Sequence, residues 1–523
     1  MPEILRSDEM AQLVTLVEEA ARSTKEGVKH FVEPAPGTLR RAISKRHHIV
    51  FGRRGSGKSS LLRKAASDLT VDRRPIAYVN LEGFKGHSYP DVLLSVLIST
   101  FEEFKRWMES AAVHPSTRTS FWKTLFGTTP TRPSYNKNDA QHLSRRLGQE
   151  VEALRTELHR IDHADLTVTL GAESSELAAA ALKAKGGTVG VSAEAEARAE
   201  LSQKETQQIE EKYRRSKTDF RHRHILDYQA IFQELGVLSG GDGYLFLDDL
   251  YHIRRADQPK LVDYFHRIAK DHMLWLKIGT IRHRTRWYTH GDPPTGMKIG
   301  DDADEIDLDL TLEKYSLAKE FLVKILTNFS NAAGITSISA FITSGAIDRL
   351  VLASGGVARD FLSIFRHSID VARERGGGPH GKKVDAEDVN AAAGEYDSTK
   401  LQEFKTDTLD DHMTLDTEFQ KLRRFCLEGN NTNCFLLDKE QQGPEVDLIH
   451  ELVDLKLIHL VRSRVTVSGR PGRIYEAYML DLSQYAGARK RRKLQMIEFW
   501  KPTSKEALRK ASLIYAPVGF EGA

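Results

Sequence analysis

The stretch His48-Ile-Val-Phe-Gly-Arg-Arg-Gly-Ser-Gly-Lys-Ser-Ser60 constrains this chain more than any other. An apolar strand runs into Gly52-x-x-x-x-Gly57-Lys58-Ser59, and a helical pattern, Leu61-Leu62-Arg63-Lys64-Ala65, follows at once. That is a phosphate-binding loop in the strand-loop-helix setting it needs. Gly52, Gly55 and Gly57 let the backbone curl until its N–H groups, with those of Ser56, Ser59 and Ser60, point inward at a phosphate. Lys58 reaches the β- and γ-phosphates, and the Ser59 hydroxyl takes a place on Mg²⁺. The helix adds the positive end of its dipole. ATP and Mg²⁺ are therefore the expected ligands, and the chain must build a parallel sheet around this strand.

A second β pattern, Ile76-Ala-Tyr-Val-Asn-Leu81, and a helical pattern from Tyr89 to Met108 continue the alternation that gives a parallel α/β sheet. Tyr244-Leu-Phe-Leu-Asp248-Asp249 is an apolar strand ending in two carboxylates, the form of a Walker B strand. There Asp248 holds Mg²⁺ and Asp249 orients the attacking water. Leu274 to Thr280 is another buried strand, followed by the arginine-dense Ile281-Arg282-His-Arg284-Thr-Arg286, and Ile306 to Leu310 is the last. Five strands are thus expected. Between the second and third, residues 110–223 form an insertion in which Leu143, Leu147, Val151, Leu154, Leu158 and Ile161 make an apolar helical seam. It is expected to project as a helical arm, serving either as a contact for a partner protein or as a solvated coiled coil that aids assembly.

Composition excludes other classes. The 523 residues are 40% hydrophobic and 28% charged, an ordinary globular balance, and net charge is only +3. No apolar run approaches the roughly 18 residues that span a bilayer, and Met1-Pro2-Glu3-Ile4-Leu5-Arg6 lacks the order of a signal peptide. A cytoplasmic protein without membrane contact is expected. The two cysteines, Cys426 and Cys434, have no zinc-type partners nearby and read as reduced.

These pieces, in this order, resemble the AAA+ ATPases of the origin-recognition and initiator type, with the related STAND and transposition ATPases. The resemblance covers residues 40–395. It implies that Thr280, ending the strand after Walker B, is a sensor near the γ-phosphate. It also implies that Ser354-Gly355-Gly356-Val357-Ala358-Arg359 opens a lid helix whose Arg359 leans onto that phosphate. Val384-Asp385-Ala386-Glu387 resembles the turn and capped helix that close such a lid. An arginine finger given to a neighbouring subunit would be Arg282, Arg284 or Arg286, with Arg284 or Arg286 favoured. Alternatively, these arginines pair with the acidic run Asp301-Asp302-Ala-Asp304-Glu305. One departure is Asp248-Asp249 where most such hydrolases have Asp-Glu, which implies slow turnover.

From Leu401 the order helix, short strand Cys434 to Leu437, helix Pro444 to Leu455, and two β runs joined by Ser468-Gly469-Arg470-Pro471-Gly472 describes a winged helix. Its wing carries Arg462, Arg464, Arg470 and Arg473, and Arg489-Lys490-Arg491-Arg492-Lys493 follows. Clustered cations on a protruding hairpin suit DNA phosphates. Winged helices also dock proteins, and Glu445, Asp447, Glu451 and Asp454 make the expected recognition helix acidic. The expected organisation is an entry segment (1–44), an α/β ATPase core (45–311) holding the arm, an all-α lid (312–398), a winged helix (399–485) and a basic tail (486–523). The expected function is a slowly hydrolysing, ATP-dependent homo-oligomer on DNA. The alternative is a nucleotide-dependent signalling or anti-phage defence switch that acts through a protein partner.

Overall fold

The structure is a computed structural model that describes residues 4–20, 30–72, 74–113, 136–159, 223–375, 383–407, 412–486, 494–501 and 506–517. Its centre is a five-stranded, all-parallel sheet. The strands are β1 (His48–Phe51), β2 (Ile76–Asn80), β3 (Gly243–Asp248), β4 (Leu274–Thr280) and, after a two-residue pair β5 (Tyr288–Thr289) and β6 (Thr295–Gly296), β7 (Asp304–Asp307). The spatial order is β2-β3-β4-β1-β7. β1 and β3 are therefore not neighbours: β4 lies between them, with Phe51 opposite Thr280 and Leu247 opposite Ile278. This order brings the loop after β1, the end of β4 and the carboxylates after β3 to one sheet edge, where ligands bind in open parallel sheets.

β1 and β3 are apolar on both faces because helices cover both. On one side, α2 (Thr38–Ala42) and α3 (Lys58–Val71) bury Leu61, Leu62, Ala65 and Leu69 against Val50, Tyr244 and Phe246. On the other lie α4 (Asp91–Val113), α5 (Lys137–Leu158), α6 (Ile225–Ser239) and α7 (Gln258–Ala269). The seam of the expected arm forms a helix, but it does not project. Leu143, Leu147, Val151 and Leu154 of α5 are buried in one core with Phe101, Phe104 and Met108 of α4 and Phe232 of α6. α4 and α6 each carry an apolar face that needs cover, and α5 supplies it. The remainder of the insertion, 114–135 and 160–222, lies outside the described residues.

The lid consists of α8 (Tyr315–Ala332), α9 (Ser344–Ser354), α10 (Ala358–Arg375) and α11 (Ala386–Asp407). Asp385 accepts the N–H groups of Glu387 (2.9 Å) and Asp388 (3.1 Å), which is the expected cap. The entry segment is corrected. α1 (Asp8–Ala20) buries Met10, Leu13 and Val17 in the same apolar cluster as Leu322, Leu326 and Phe365 of the lid. The winged helix follows as α12 (His412–Arg424), β8 (Cys434–Asp438), α13 (Pro444–Asp454), β9 (Ile458–Val465) and β10 (Tyr475–Leu480), with sheet order β8-β10-β9. It shares the lid's core.

The basic tail is corrected too, in its described part. Gln495 and Ile514 bridge to Thr432 and Leu436, and Phe499, Leu513 and Tyr515 are buried, so this segment finishes the winged-helix core. The cluster 489–493 falls outside the described residues. Among the described residues, no helix is long and apolar enough to cross a membrane.

Candidate nucleotide site

The loop after β1 is shaped by its glycines. Gly55 and Gly57 have φ of 87° and 100°, in the left-handed region that suits glycine. Gly55 also leaves no room for a side chain, since a Cβ there would lie 2.8 Å from the Cβ of Arg359. The Arg359 N–H donates to the Gly55 carbonyl at 3.2 Å. The lid helix α10 thus begins directly on the phosphate loop.

Lys58 is buried at the N-terminus of α3, and its ammonium donates to the carbonyls of Gly52 (2.8 Å) and Arg53 (3.1 Å). Burial lowers its pKa, while Asp249, Asp248 and Asp309 act against that shift. Asp248 is 2% exposed. Its Oδ2 accepts the Tyr78 hydroxyl at 2.5 Å, and burial followed by the charge of Asp248 pushes the Tyr78 pKa up. The Asp248 Oδ1 is buried with no hydrogen-bond partner, as is the Ser56 Oγ. A buried carboxylate oxygen without a partner is costly. Asp248 ends β3 next to Asp249, which lines a cleft together with Ser59, so Ser59 and Asp248 would be the residues to hold a divalent cation there.

Asp249 takes a left-handed conformation (φ 61°, ψ 47°). Burial, then the neighbouring Asp248 charge, raises its carboxyl to about 6. Thr280 is fully buried at the end of β4, and its Oγ1 shares a 2.5 Å hydrogen bond with Thr285 Oγ1.

Gly55, Ser56, Gly57, Lys58, Ser59, Ser60, Asp249 and Arg359 line one cleft of about 230 Å³. Its polar end is the loop and the carboxylates. Its other end is apolar, built by Phe31 and Val32 from the entry segment, Leu308 after β7, and Phe321, Ile325, Phe329 and Leu362 from the lid. His30 sits with its ring 5.2 Å from that of Phe329. A polar phosphate end and a flat apolar end are the two halves of a nucleoside triphosphate site. The apolar half was not visible in the sequence, because its side chains come from segments far apart whose only signal is ordinary hydrophobicity. Glu82, Tyr251 and His252 also line the cleft without having stood out.

The three arginines separate. Arg282 pairs with Glu305 (3.2 Å) and Asp307 (3.4 Å) and lies 4.0 Å over the Phe51 ring, which removes it as a finger. The acidic run is otherwise taken by different cations: Asp301 by Lys298, Asp302 by Lys270 and Asp304 by Arg46. Arg284 lies 5.6 Å from the Tyr251 ring, whose other cationic neighbour is Lys58 at 5.9 Å, so it leans toward the cleft of its own chain. Arg286 is exposed.

Behind the phosphate loop, Arg53 ties the core to the winged helix. Its backbone N–H and Nε reach Asp309, its Nη2 donates to the Gly355 carbonyl at 2.9 Å, and its Nη1 lies 3.5 Å from His459 of β9. His459 bonds Asp481 at 2.8 Å, and Asp481 meets Lys400 of α11 at 2.6 Å. Burial alone would raise the Asp481 pKa, but the Lys400 charge and the His459 hydrogen bond outweigh it and hold the group ionised.

No family model and no curated protein matches the chain. Among solved structures it is similar to the Aeropyrum pernix ORC1 protein in complex with DNA, at 13% identity over 92% of each chain, with a TM-score of 0.31. So distant a likeness bears on neither substrate nor partner.

Proposed function

We propose that this chain is an ATPase of the AAA+ kind that binds ATP with Mg²⁺, hydrolyses it slowly, assembles with copies of itself and associates with DNA. The observation that carries this is the convergence on one cleft of the phosphate loop, Asp249 from the end of the Walker B strand, Arg359 of the lid and apolar side chains from the entry segment and lid. Lys58 leaves the loop carbonyls to meet the β- and γ-phosphates, and Arg359 closes the lid onto them. Asp249 orients water, and Thr280, fixed by Thr285, stands between β1 and β3. Mg²⁺, held by Ser59 and Asp248, neutralises charge on the phosphate oxygens. Arg286 is the finger offered to a neighbour, because Arg282 is already paired and Arg284 leans inward.

The wing is the DNA contact: Arg464, Arg470 and Arg473 are exposed on it. Steady-state ATP hydrolysis with and without double-stranded DNA at two salt concentrations tests this, with Lys58→Ala as the blank. Stimulation that fades at higher salt is expected. Hydrolysis indifferent to DNA favours the second reading, a nucleotide switch acting through a protein, including in antiviral defence. One observation supports it: α13, the helix that would read DNA, is docked on the core, with Asp454 accepting the His283 N–H at 3.0 Å and Glu451 3.5 Å from Arg255.

A further inference from the structure

The carboxylate after the Walker B strand has a short side chain on a constrained backbone. Asp249 is one methylene shorter than glutamate, its backbone is fixed in a left-handed turn, and it lies beside Asp248 in a partly buried position. Another carboxylate reaches the same place. Glu82 stands on the short turn Leu81–Phe84 directly after β2, and Asn80 Oδ1 accepts the Glu82 N–H at 3.0 Å, which sets the angle at which the turn leaves the strand. β2 pairs with β3 so that Asn80 lies opposite Asp248, and the two chains therefore emerge side by side. As a result a Glu82 oxygen, an Asp249 oxygen and a His252 ring nitrogen all lie within 4.8 Å of one another. Glu82 is exposed and lines the cleft that holds Lys58 and Arg359. Ser56, whose buried Oγ has no hydrogen-bond partner, lines the same cleft.

Resting on the ATPase reading above, we propose that Glu82 is the general base of hydrolysis, with Asp249 and His252 positioning the water it acts on. The water oxygen attacks the γ-phosphorus and its proton passes to the Glu82 carboxylate. The bond from the γ-phosphorus to the β,γ-bridging oxygen breaks, leaving ADP and inorganic phosphate. Glu82 has one methylene more than Asp249 and lines the same cleft from the β2 side.

The test measures ATP affinity by titration and hydrolysis by single turnover, on the full chain and on Lys58→Ala, Glu82→Gln, Glu82→Asp and Asp249→Asn. Glu82→Gln is expected to slow the chemical step about 100-fold, the usual worth of a general base, with ATP affinity within about twofold of the parent, a split that a merely structural role would not give. Glu82→Asp is expected to recover part of the rate. A Glu82→Gln protein that hydrolyses within about twofold of the parent overturns the assignment while leaving the ATPase reading intact. A parent protein no faster than Lys58→Ala overturns both.

Discussion

At the scale of single residues, the phosphate loop approaches the lid so closely at Gly55 that this becomes a sensitive loop position. Alanine there must hold φ near +87° and place its Cβ 2.8 Å from the Arg359 Cβ. A non-glycine residue at positive φ costs about 1 kcal/mol or more, and the contact adds the displacement of α10. Gly55→Ala is expected to lower the melting temperature and to weaken ATP binding at least tenfold, as read by calorimetry and titration. Unchanged affinity would mean that the lid does not close through this contact. Lys58→Ala, by contrast, is expected to abolish ATP binding while folding normally, because the hydrogen bonds of the ammonium go to carbonyls of the loop itself. Asp249→Asn is expected to bind ATP and hydrolyse it more slowly, and retention of the full rate would mean that Asp249 does not position the water.

Among the elements, the winged helix is held to the core by a buried carboxyl whose charge state matters. Asp454 ends α13, accepts the His283 N–H and is raised from 3.8 to about 7, first by burial and then by Asp309, against the His283 bond and the charges of Arg53 and Lys58. The folded state thus holds the proton more tightly than the unfolded chain. Its stabilising effect is full below 3.8 and is lost as pH rises to about 7. Asp454→Asn keeps the acceptor and removes the charge, so its melting temperature is expected to exceed the parent's at pH 8 and to converge with it only below 3.8. An equal gap at both ends of that range would rule out the carboxyl as the cause. None of this was legible in the chain. The acidic character of α13 was plain, but its partners His283, Arg255 and Arg53 lie far away in sequence. What was legible shares one property: strand, turn and helix follow each other without interruption, so the local pattern decides. β4 ends at Thr280 as its pattern required, and Asp385 caps α11. The α5 seam was legible as a helix but not as core, because periodicity tells which face is apolar and nothing about what covers it.

For the molecule as a whole, lid, winged helix, first helix and C-terminal segment share one apolar core, joined to the sheet through Arg53, His459 and Asp481. The two-layer order of core and lid followed from the motifs. The joining of the two chain ends to the lid and winged helix did not, since it depends on contacts such as Leu436 with Ile514. With α13 contacting the core, the proposed DNA association runs through the wing, where Arg464 and Arg470 are exposed while Arg473 is drawn to Asp438 at 3.1 Å. Each phosphate neutralised contributes about 0.9 to the slope of log affinity against log salt. Arg464→Ala with Arg470→Ala is therefore expected to weaken binding to all duplex sequences alike and to flatten that slope by about 1.8. Glu445→Gln on α13 is expected to leave the slope unchanged. If the wing variant binds as the parent does while Glu445→Gln alters affinity, α13 leaves its seat on the core when DNA binds, and the Asp454–His283 and Glu451–Arg255 contacts are the ones it breaks.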